Sequence, residues 1–321
     1  MANPPRKLGF VLAATEHGTM ILNRFDYHRN EHGPYGVGHM LLQDASYEQF
    51  EIANAVRLLA ARRAHFGDGV VAIDCGANIG VHTLEWARSM TGWGSVIAIE
   101  AQERIFYALA GNIALNNCFN ARAILAAVAA ADGAMRMPTP DYLAPGSFGS
   151  LELRQSPSNE FIGQAIDYSE DRLTEIRTFA IDSLALPRLD LIKIDVEGME
   201  LEVLAGADAT IARHHPVIVV EQLKTSHEKL VAALTAHGYR LLYRNLNVLA
   251  IHPSDPSSAQ VPVLQTPVLQ TPELQTPELQ TPVLQTPVAV AAPAQSVAPP
   301  EPEPTPPNPA PRPRRTSRRK P

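Results

Sequence analysis

From residue 70 to residue 252, hydrophobic residues alternate between short continuous runs and stripes at helical spacing. The runs are VVAIDC, SVIAIE, ARAILAAVA, LDLIKIDV, PVIVVEQ, YRLLY and NVLAIH. Continuous runs are typical of strands covered on both faces, and stripes such as Phe106, Leu109 and Ile113 predict helices between them. The pattern therefore predicts a doubly wound α/β domain with helices on both faces of a mostly parallel sheet. The last two runs are close enough to form an antiparallel pair at one edge.

The first 69 residues follow another pattern. Two β-like pieces, FVLAA and MILNRF, flank TEHGT and predict a hairpin. After a glycine-rich loop, Ser46 is expected to begin a helix, because Gln49 stands three residues later in the arrangement of a capping box. The helix should end before Gly67. We expect residues 1–69 to form a hairpin and helix extension in front of the α/β domain at residues 70–252.

Residues 136–177 interrupt the alternation. Loops of this length in compact domains are usually lids over functional sites or disordered segments. The aromatic residues Tyr142, Phe148, Phe161 and Tyr168 favour an ordered lid or an extra hairpin. We expect this segment to shape a substrate pocket.

Composition separates residues 253–321 from the rest. They contain 19 of the 28 prolines and neither a glycine nor an aromatic residue. Five LQTP-containing pentapeptides place a proline at every fifth position, which prevents a long helix. We expect a disordered, proline-rich tail that acts as a spacer. The less favoured alternative is that its proline-rich segments bind a partner protein. Its basic end, PRPRRTSRRKP, suits an acidic partner, a membrane surface or RNA, and the sequence does not specify which.

Charge and apolar length exclude several classes of protein. Residues 1–252 carry 21 basic and 28 acidic side chains, and this net charge of −7 opposes nucleic-acid binding by the domain. No run reaches the roughly 18–20 apolar residues of a membrane span, and the apolar stretch near the N-terminus is too short for a signal peptide. A cytoplasmic location is expected, with Cys75 and Cys118 as free thiols.

The turn IDCGANIG follows the first run of the α/β domain. Gly76 and Gly80 permit a tight turn whose N–H groups face a ligand, and Glu100 ends the next strand, where an acid can accept hydrogen bonds from a ribose. The turn lacks the dinucleotide pattern G-x-G-x-x-G, with Asn78 between its glycines, and Asp74 would repel a pyrophosphate. S-adenosylmethionine carries a sulfonium and an amino group and no phosphate. These residues therefore favour S-adenosylmethionine over NAD.

The stretch LIKIDVEGMELEVL places carboxylates at the end of a central strand, where open α/β sheets bind ligands. Asp195 and Glu197, with Glu221 near the end of PVIVVEQ, are therefore candidates for a general base, Asp195 first because of its position at the strand end. Lys193 should face the same side as Asp195. His82, at a helix N-terminus that disfavours its charged form, is a further candidate, although a packing role suits it as well. A divalent cation on Asp195, Glu197 and Glu221 is conceivable. Strand-end carboxylates are also common without metal, and we expect none.

The order of VAIDCGANIGVHT, VIAIEAQERIFYALAGNIALNN, LDLIKIDVEGMELEVLAGA and PVIVVE resembles the FkbM family of S-adenosylmethionine-dependent methyltransferases. IKIDVEGMELEVL is the most specific element of a resemblance that covers residues 70–221. It implies the class I, Rossmann-like fold with a seven-stranded sheet, and O-methylation of a hydroxyl on a small molecule or glycan. It also implies site residues: a donor site lined by Asp74, Gly76, Asn78 and Gly80, a ribose held by Glu100, and Asp195 near the methionine end of the donor or the reacting hydroxyl.

Two alternative functions stay open on the sequence. An NAD-dependent oxidoreductase would use the same kind of sheet, although the missing third glycine and Asp74 oppose it. A non-catalytic scaffold would bind a nucleoside and recruit partners through the tail. Where the FkbM family often has proline after the acid of the second strand, this chain has Ala101 and Gln102, so the geometry of that loop is open.

Overall fold

The computed structural model describes residues 7–31, 33–244 and 246–256. The expectations for the repeat, the proline-rich tail and its basic end fall beyond residue 256 and therefore lie outside the described residues. So does the acidic partner expected for that basic end.

The chain alternates strands and helices from residue 70 onward, as the hydrophobic pattern predicts. The strands are β1 (Phe10–Thr15), β2 (Gly18–Asn23), β3 (His28–Asn30), β4 (Gly33–Tyr35), β5 (Val70–Cys75), β6 (Gly94–Glu100), β7 (Ala121–Leu125), β8 (Ala127–Val128), β9 (Gly133–Met137), β10 (Thr174–Phe179), β11 (Leu191–Ile194), β12 (Val217–Glu221), β13 (Arg240–Arg244) and β14 (Asn247–Ile251). The helices are α1 (Val37–Asp44), α2 (Gln49–Phe66), α3 (Val81–Ser89), α4 (Glu103–Leu115), α5 (Glu200–Ala205), α6 (Asp208–His214) and α7 (His227–Ala236). None of these helices is both long and apolar enough to cross a membrane.

Seven strands form one sheet in the order β13-β14-β12-β11-β5-β6-β7. Neighbouring strands are parallel except where β14 pairs antiparallel with β12 and β13. The mostly parallel seven-stranded sheet and its antiparallel edge pair are therefore confirmed. The order places β5 and β11 side by side at the centre, so both sequence motifs end at the same edge of the sheet.

Helices cover both faces of this sheet. Val70 and Ala72 of β5 belong to a core that includes Leu84 of α3. Ile73, which points to the opposite face, belongs to a second core that includes Val203 of α5. Burial on both faces explains why the strands are continuous apolar runs instead of alternating ones.

The run ARAILAAVA is two strands instead of one. β7 joins the large sheet, whereas β8 pairs with β10 in a separate three-stranded sheet, β8-β10-β9. β9 and β10 pair antiparallel, with Met137 opposite Thr174, and so bring the two ends of the segment 136–177 together. Between these strands the segment contains one 3-10 turn, Phe148–Ser150, whose Phe148 side chain is fully buried. The Phe148 N–H donates to the Asp26 carboxylate at 2.9 Å, which fixes the turn to the N-terminal residues.

The N-terminal extension forms the hairpin of β1 and β2 as predicted, but the predicted capping box is absent. Helix α2 begins at Gln49, its N-cap is Glu48 with φ 47°, and no side chain caps it. The left-handed backbone of Glu48 turns the chain into the helix without a serine cap, and its side chain lies along a cavity described below.

Residues near the predicted end of the domain are still part of the core. Asp255 is 3% exposed, and one of its oxygens accepts from the Arg62 guanidinium at 2.6 Å. Arg62 also donates to Asp190, at the start of the central strand β11. A boundary drawn after residue 252 would cut this buried pair, so the folded part extends at least to Asp255.

Candidate active site

A cavity of about 420 Å³ lies at the carboxyl ends of the central strands, a volume within the range of small-molecule sites. Seven of the eight residues predicted for the site line it: Asp74, Gly76, Asn78, His82, Glu100, Asp195 and Glu197. Gly80 does not line the cavity and instead is the N-cap of α3. The remaining walls come from β4, α1, the residues just before α2, β8, the segment 136–177, and the end of β12 with the loop after it.

The glycine turn brings the two sequence motifs together. Gly76 has φ 76°, and a Cβ atom there would collide with the backbone carbonyl oxygen of Asp195. Gly80 has φ 92°, and a Cβ atom there would lie 2.6 Å from the Leu109 side chain. Gly76 is therefore required by contact between β5 and the loop after β11, independently of any ligand.

Glu100, at the end of β6, is held by the backbone of the turn. One carboxylate oxygen accepts from Asn78 N–H at 2.9 Å and the other from Gln102 N–H at 2.8 Å. Burial raises the pKa of Glu100 to about 7, although the two N–H groups oppose this shift. Each oxygen keeps further acceptor capacity, so the carboxylate is oriented and available to a ligand hydroxyl.

Asp74 lies on β5 with its side chain 1% exposed. Its Oδ2 accepts from the Thr83 hydroxyl at 2.6 Å, whereas its Oδ1 has no hydrogen-bond partner in the described part of the chain. Burial raises the pKa of Asp74, and the nearby Lys193 ammonium opposes the rise. A buried acceptor without a partner is costly, so this position fits a ligand that donates or carries positive charge.

Lys193 and Asp195 occupy the same face of β11, as the alternation predicts. Lys193 is opposite Asp74 in the parallel register, and its Nζ lies 2.8 Å from Asp195 Oδ2. Burial lowers the pKa of Lys193, but Asp195, Asp74 and Glu48 raise it more, to a net value above normal. The lysine is therefore a buried ammonium that links Asp74 to Asp195.

Glu197 and Glu221 lie beside Asp195. Glu197 has φ 53° and is followed by Gly198 with φ 98°. The Oε2 atom of Glu197 lies 2.7 Å from Lys224 Nζ. No ion pair to Glu221 occurs among the described residues. Burial, together with repulsion from Asp195, raises the pKa of both glutamates above the ordinary value. Of these three carboxylates, Asp195 and Glu197 each have an ammonium partner. Glu221 has none among the described residues.

The three carboxylates could also hold a metal ion. One oxygen each from Asp195, Glu197 and Glu221 lies within 4.8 Å of the others, and oxygen ligands suit hard divalent cations. Two ammonium groups, those of Lys193 and Lys224, already offset part of this negative charge. A metal-free site remains our prediction.

His82 is buried at the start of α3. Its ring stacks on Trp86 with centroids 5.5 Å apart and an interplanar angle of 6°, and its Nε2 lies 3.2 Å from Glu48 Oε2 without hydrogen-bond geometry. Burial lowers the pKa of His82 well below its ordinary value, so the ring is neutral. A neutral ring packed on tryptophan fits the packing role as well as that of a base.

Comparison with known proteins decides the family. The model of the FkbM methyltransferase domain matches residues 74–241, just over half of the chain. The chain belongs to the FkbM methyltransferase family. The match covers the glycine turn, Glu100 and the Asp195 loop, and it selects methyl transfer over the nicotinamide-dependent alternative.

The proteins that this chain resembles match it at low identity. Methyltransferase sdnD from Sordaria araneosa is 29% identical over 155 residues, which are 42% of this chain and 60% of the relative. The FkbM methyltransferase structure from Methylobacillus flagellatus is 18% identical with a TM-score of 0.39, over 58% of this chain and 43% of that chain. A putative O-methyltransferase structure from Klebsiella pneumoniae is 12% identical with a TM-score of 0.34, over 62% and 80%. The chain thus spans about 60% of the curated relative and less than half of the solved FkbM structure.

The cofactor of this FkbM domain is S-adenosylmethionine. The residues present fit such a group, because the partnerless oxygen of Asp74 suits a cationic, hydrogen-donating ligand. Glu100, oriented by two backbone N–H groups, suits a ribose. Asp74 and Glu100 stand on neighbouring strands, β5 and β6, on either side of the glycine turn.

Several residues of the FkbM site were not identified from the sequence. Glu48 and Tyr47 line the cavity from the N-terminal extension, and Lys224 lines it from the loop after β12. Glu48 carries no motif, and what marks it is its left-handed backbone, since strain of this kind is concentrated at functional sites. A sequence does not display this conformation for a glutamate, so no local signal was available.

Proposed function

We propose that the chain transfers a methyl group from S-adenosylmethionine to a hydroxyl oxygen of a small-molecule or glycan acceptor. One observation carries the proposal: donor-side acids and the carboxylates Asp195, Glu197 and Glu221 line the same cavity. A hydroxyl loses its proton when it is methylated, and a positioned carboxylate can accept that proton. When bound, S-adenosylmethionine supplies an electrophilic methyl group on a positively charged sulfur.

On the donor side, we assign Asp74 to the cationic part of the ligand and Glu100 to the ribose hydroxyls. Gly76 and Asn78 hold the turn that places Glu100, and Gly80 starts the helix behind it. Residues from one short stretch of chain thus form this side.

On the acceptor side, Asp195 is the proposed general base, with Glu197 beside it and His82 as a third candidate. Lys193 orients Asp195 through the 2.8 Å ion pair. Glu221 lies beside Asp195 and Glu197 and has no ammonium partner among the described residues. It is therefore the best-placed residue to accept the proton from Asp195. Water exclusion by the segment 136–177 would strengthen these electrostatic contacts.

The central experiment screens for the acceptor with the purified full chain. Labelled S-adenosylmethionine is incubated with fractions of cell extract, and label in an alkali-stable ether product supports O-methylation. Calorimetric titration with S-adenosylmethionine and with NAD accompanies the screen. Donor binding without transfer to any fraction would favour the non-catalytic scaffold, and label on nitrogen would reject O-methylation.

A cytoplasmic location and an acceptor that is not a nucleic acid remain parts of this proposal. The excess of acidic over basic side chains in residues 1–252 supports the exclusion of nucleic acid.

A further inference from the structure

Lys224 connects three separate parts of the chain at the cavity. It lies in the loop between β12 and α7, and its side chain is 13% exposed. Its Nζ lies 2.7 Å from Glu197 Oε2, 3.0 Å from Glu160 Oε2 and 2.8 Å from the Ser150 carbonyl oxygen. An ammonium group has three donors, and each has an acceptor here.

Glu160 extends this set of contacts to the N-terminal extension. Its second oxygen accepts from the Tyr35 hydroxyl at 2.8 Å. Burial and the Glu160 carboxylate raise the pKa of Tyr35 to about 12, so the hydroxyl keeps its proton and donates. Tyr35, Glu160, Lys224 and Glu197 all line the cavity. They form a continuous polar row, which we call the Lys224 row, from β4 across the segment 136–177 to the loop after β11.

Lys224 is the residue on which the other contacts of the Lys224 row depend. Burial lowers the pKa of Lys224, but the Glu197 and Glu160 carboxylates raise it by more than burial lowers it. The side chain therefore remains an ammonium. Lys224 and Glu197 are 13% and 17% exposed, and removing a partner from such a desolvated ion pair leaves the opposite charge uncompensated, which is strongly unfavourable. Glu160 is 40% exposed, so its pair with Lys224 contributes less. Without Lys224, Glu197 and Glu160 would separate, and Ser150 would lose its donor.

A second ion pair on the same segment gives an internal contrast. Arg154 NH1 lies 2.6 Å from Glu202 Oε1, but these side chains are 55% and 33% exposed. Exposed pairs contribute little to stability. This pair also joins the segment to the domain, at α5, without lining the cavity.

We propose that Lys224 is a positioning residue for methyl transfer, which fixes residues 150–160 and the Glu197 carboxylate against each other on the acceptor side of the cavity. The role in transfer rests on the proposed function, whereas the structural part does not. The contacts of Lys224 run to the segment and to Glu197, while the donor-side acids Asp74 and Glu100 are held by Thr83 and by backbone N–H groups. Lys224 should therefore influence the acceptor side and leave donor binding intact.

The test compares the full-chain variants K224Q, K224R and R154Q with the wild type. Amide hydrogen exchange is followed for residues 150–160, and donor affinity is measured by calorimetric titration with S-adenosylmethionine. In K224Q we expect exchange in this stretch to be faster by about tenfold or more, with donor affinity changed less than about threefold. K224R, which can contact the same acceptors, should restore most of the protection, and R154Q should resemble the wild type.

Three results would overturn the proposal. The first is an unchanged exchange rate of residues 150–160 in K224Q, and the second is an equally faster exchange in R154Q. The third is a loss of donor affinity in K224Q by the same factor as the increase in exchange rate. If K224Q does not fold, E160Q replaces it, since it weakens the row but leaves Lys224 paired with Glu197. With a methyl-accepting fraction in hand, K224Q should raise the acceptor KM or lower kcat while the donor KM stays constant. Absence of transfer by the wild type would reject the proposed function and leave the exchange result to decide the structural part.

Discussion

The two sides of the cavity are built in different ways. The donor side comes from one short stretch, residues 74–102, in which backbone N–H groups of the turn hold the Glu100 carboxylate. The acceptor side is assembled from the N-terminal extension, the segment 136–177 and two loops after strands, which Lys224 and its partner Glu160 join. The donor side therefore depends on local backbone geometry, whereas the acceptor side depends on long-range ion pairs between side chains.

The largest expected effect is on the acceptor side. Asp195→Asn should lower the rate of methyl transfer by about 10²- to 10⁴-fold, because it removes the proposed proton acceptor. The rate is measured with labelled donor and a methyl-accepting fraction. Glu202→Gln, an acid on the following helix that pairs with Arg154 at the surface, is the matched control and should be close to wild type. A rate within about threefold of wild type for D195N would remove Asp195 as the base.

The next effect concerns the donor side. Glu100→Ala should weaken donor binding by about 1–3 kcal/mol, because a ribose hydroxyl and two backbone N–H groups lose their acceptor. Calorimetric titration with S-adenosylmethionine measures it. Glu103→Ala, an exposed acid on the first turn of α4, is the control. Unchanged donor affinity in a folded E100A protein would show that Glu100 does not bind the donor. The assignment of residues 74–102 to the donor side would then be wrong.

A smaller effect is expected on stability. The pKa of Glu221 is raised in the folded protein, so its contribution to stability is present below the ordinary glutamate pKa and is lost as the pH rises through the raised value. Glu221→Gln should therefore increase Tm by about 2–4 °C at about pH 9 and change it little at about pH 5. Scanning calorimetry at both values measures this. An equal change at the two pH values would mean that charge repulsion around Glu221 is unimportant.

The smallest expected effect is that of chelation. If the two lysines are the cations that offset the acceptor-side carboxylates, dialysis against a chelator should change the transfer rate by less than about twofold. Loss of activity on dialysis, with recovery on adding magnesium, would instead make Asp195, Glu197 and Glu221 a metal site.

The sheet was predictable because its strands carry their own signal. Burial on both faces produces continuous apolar runs, and these gave the parallel sheet and the antiparallel edge pair. The start of α2 was not predictable, because Glu48 takes the N-cap position in a left-handed conformation instead of Ser46. The split of ARAILAAVA was missed for a similar reason, since β7 and β8 differ in their pairing partners and not in their hydrophobicity.

The sequence by itself determined the sheet, the donor and the residues around the glycine turn. These features are local, because a turn, a strand end and the acid after the next strand lie within about thirty residues, and their backbone geometry follows from residue type. Only the tertiary structure decided which residues join Asp195 and Glu197 on the acceptor side. Tyr35, Glu160 and Lys224 are far apart along the chain and carry no motif, and folding brings them together because the largely buried Lys224 ammonium requires acceptors that its neighbours in the sequence do not supply.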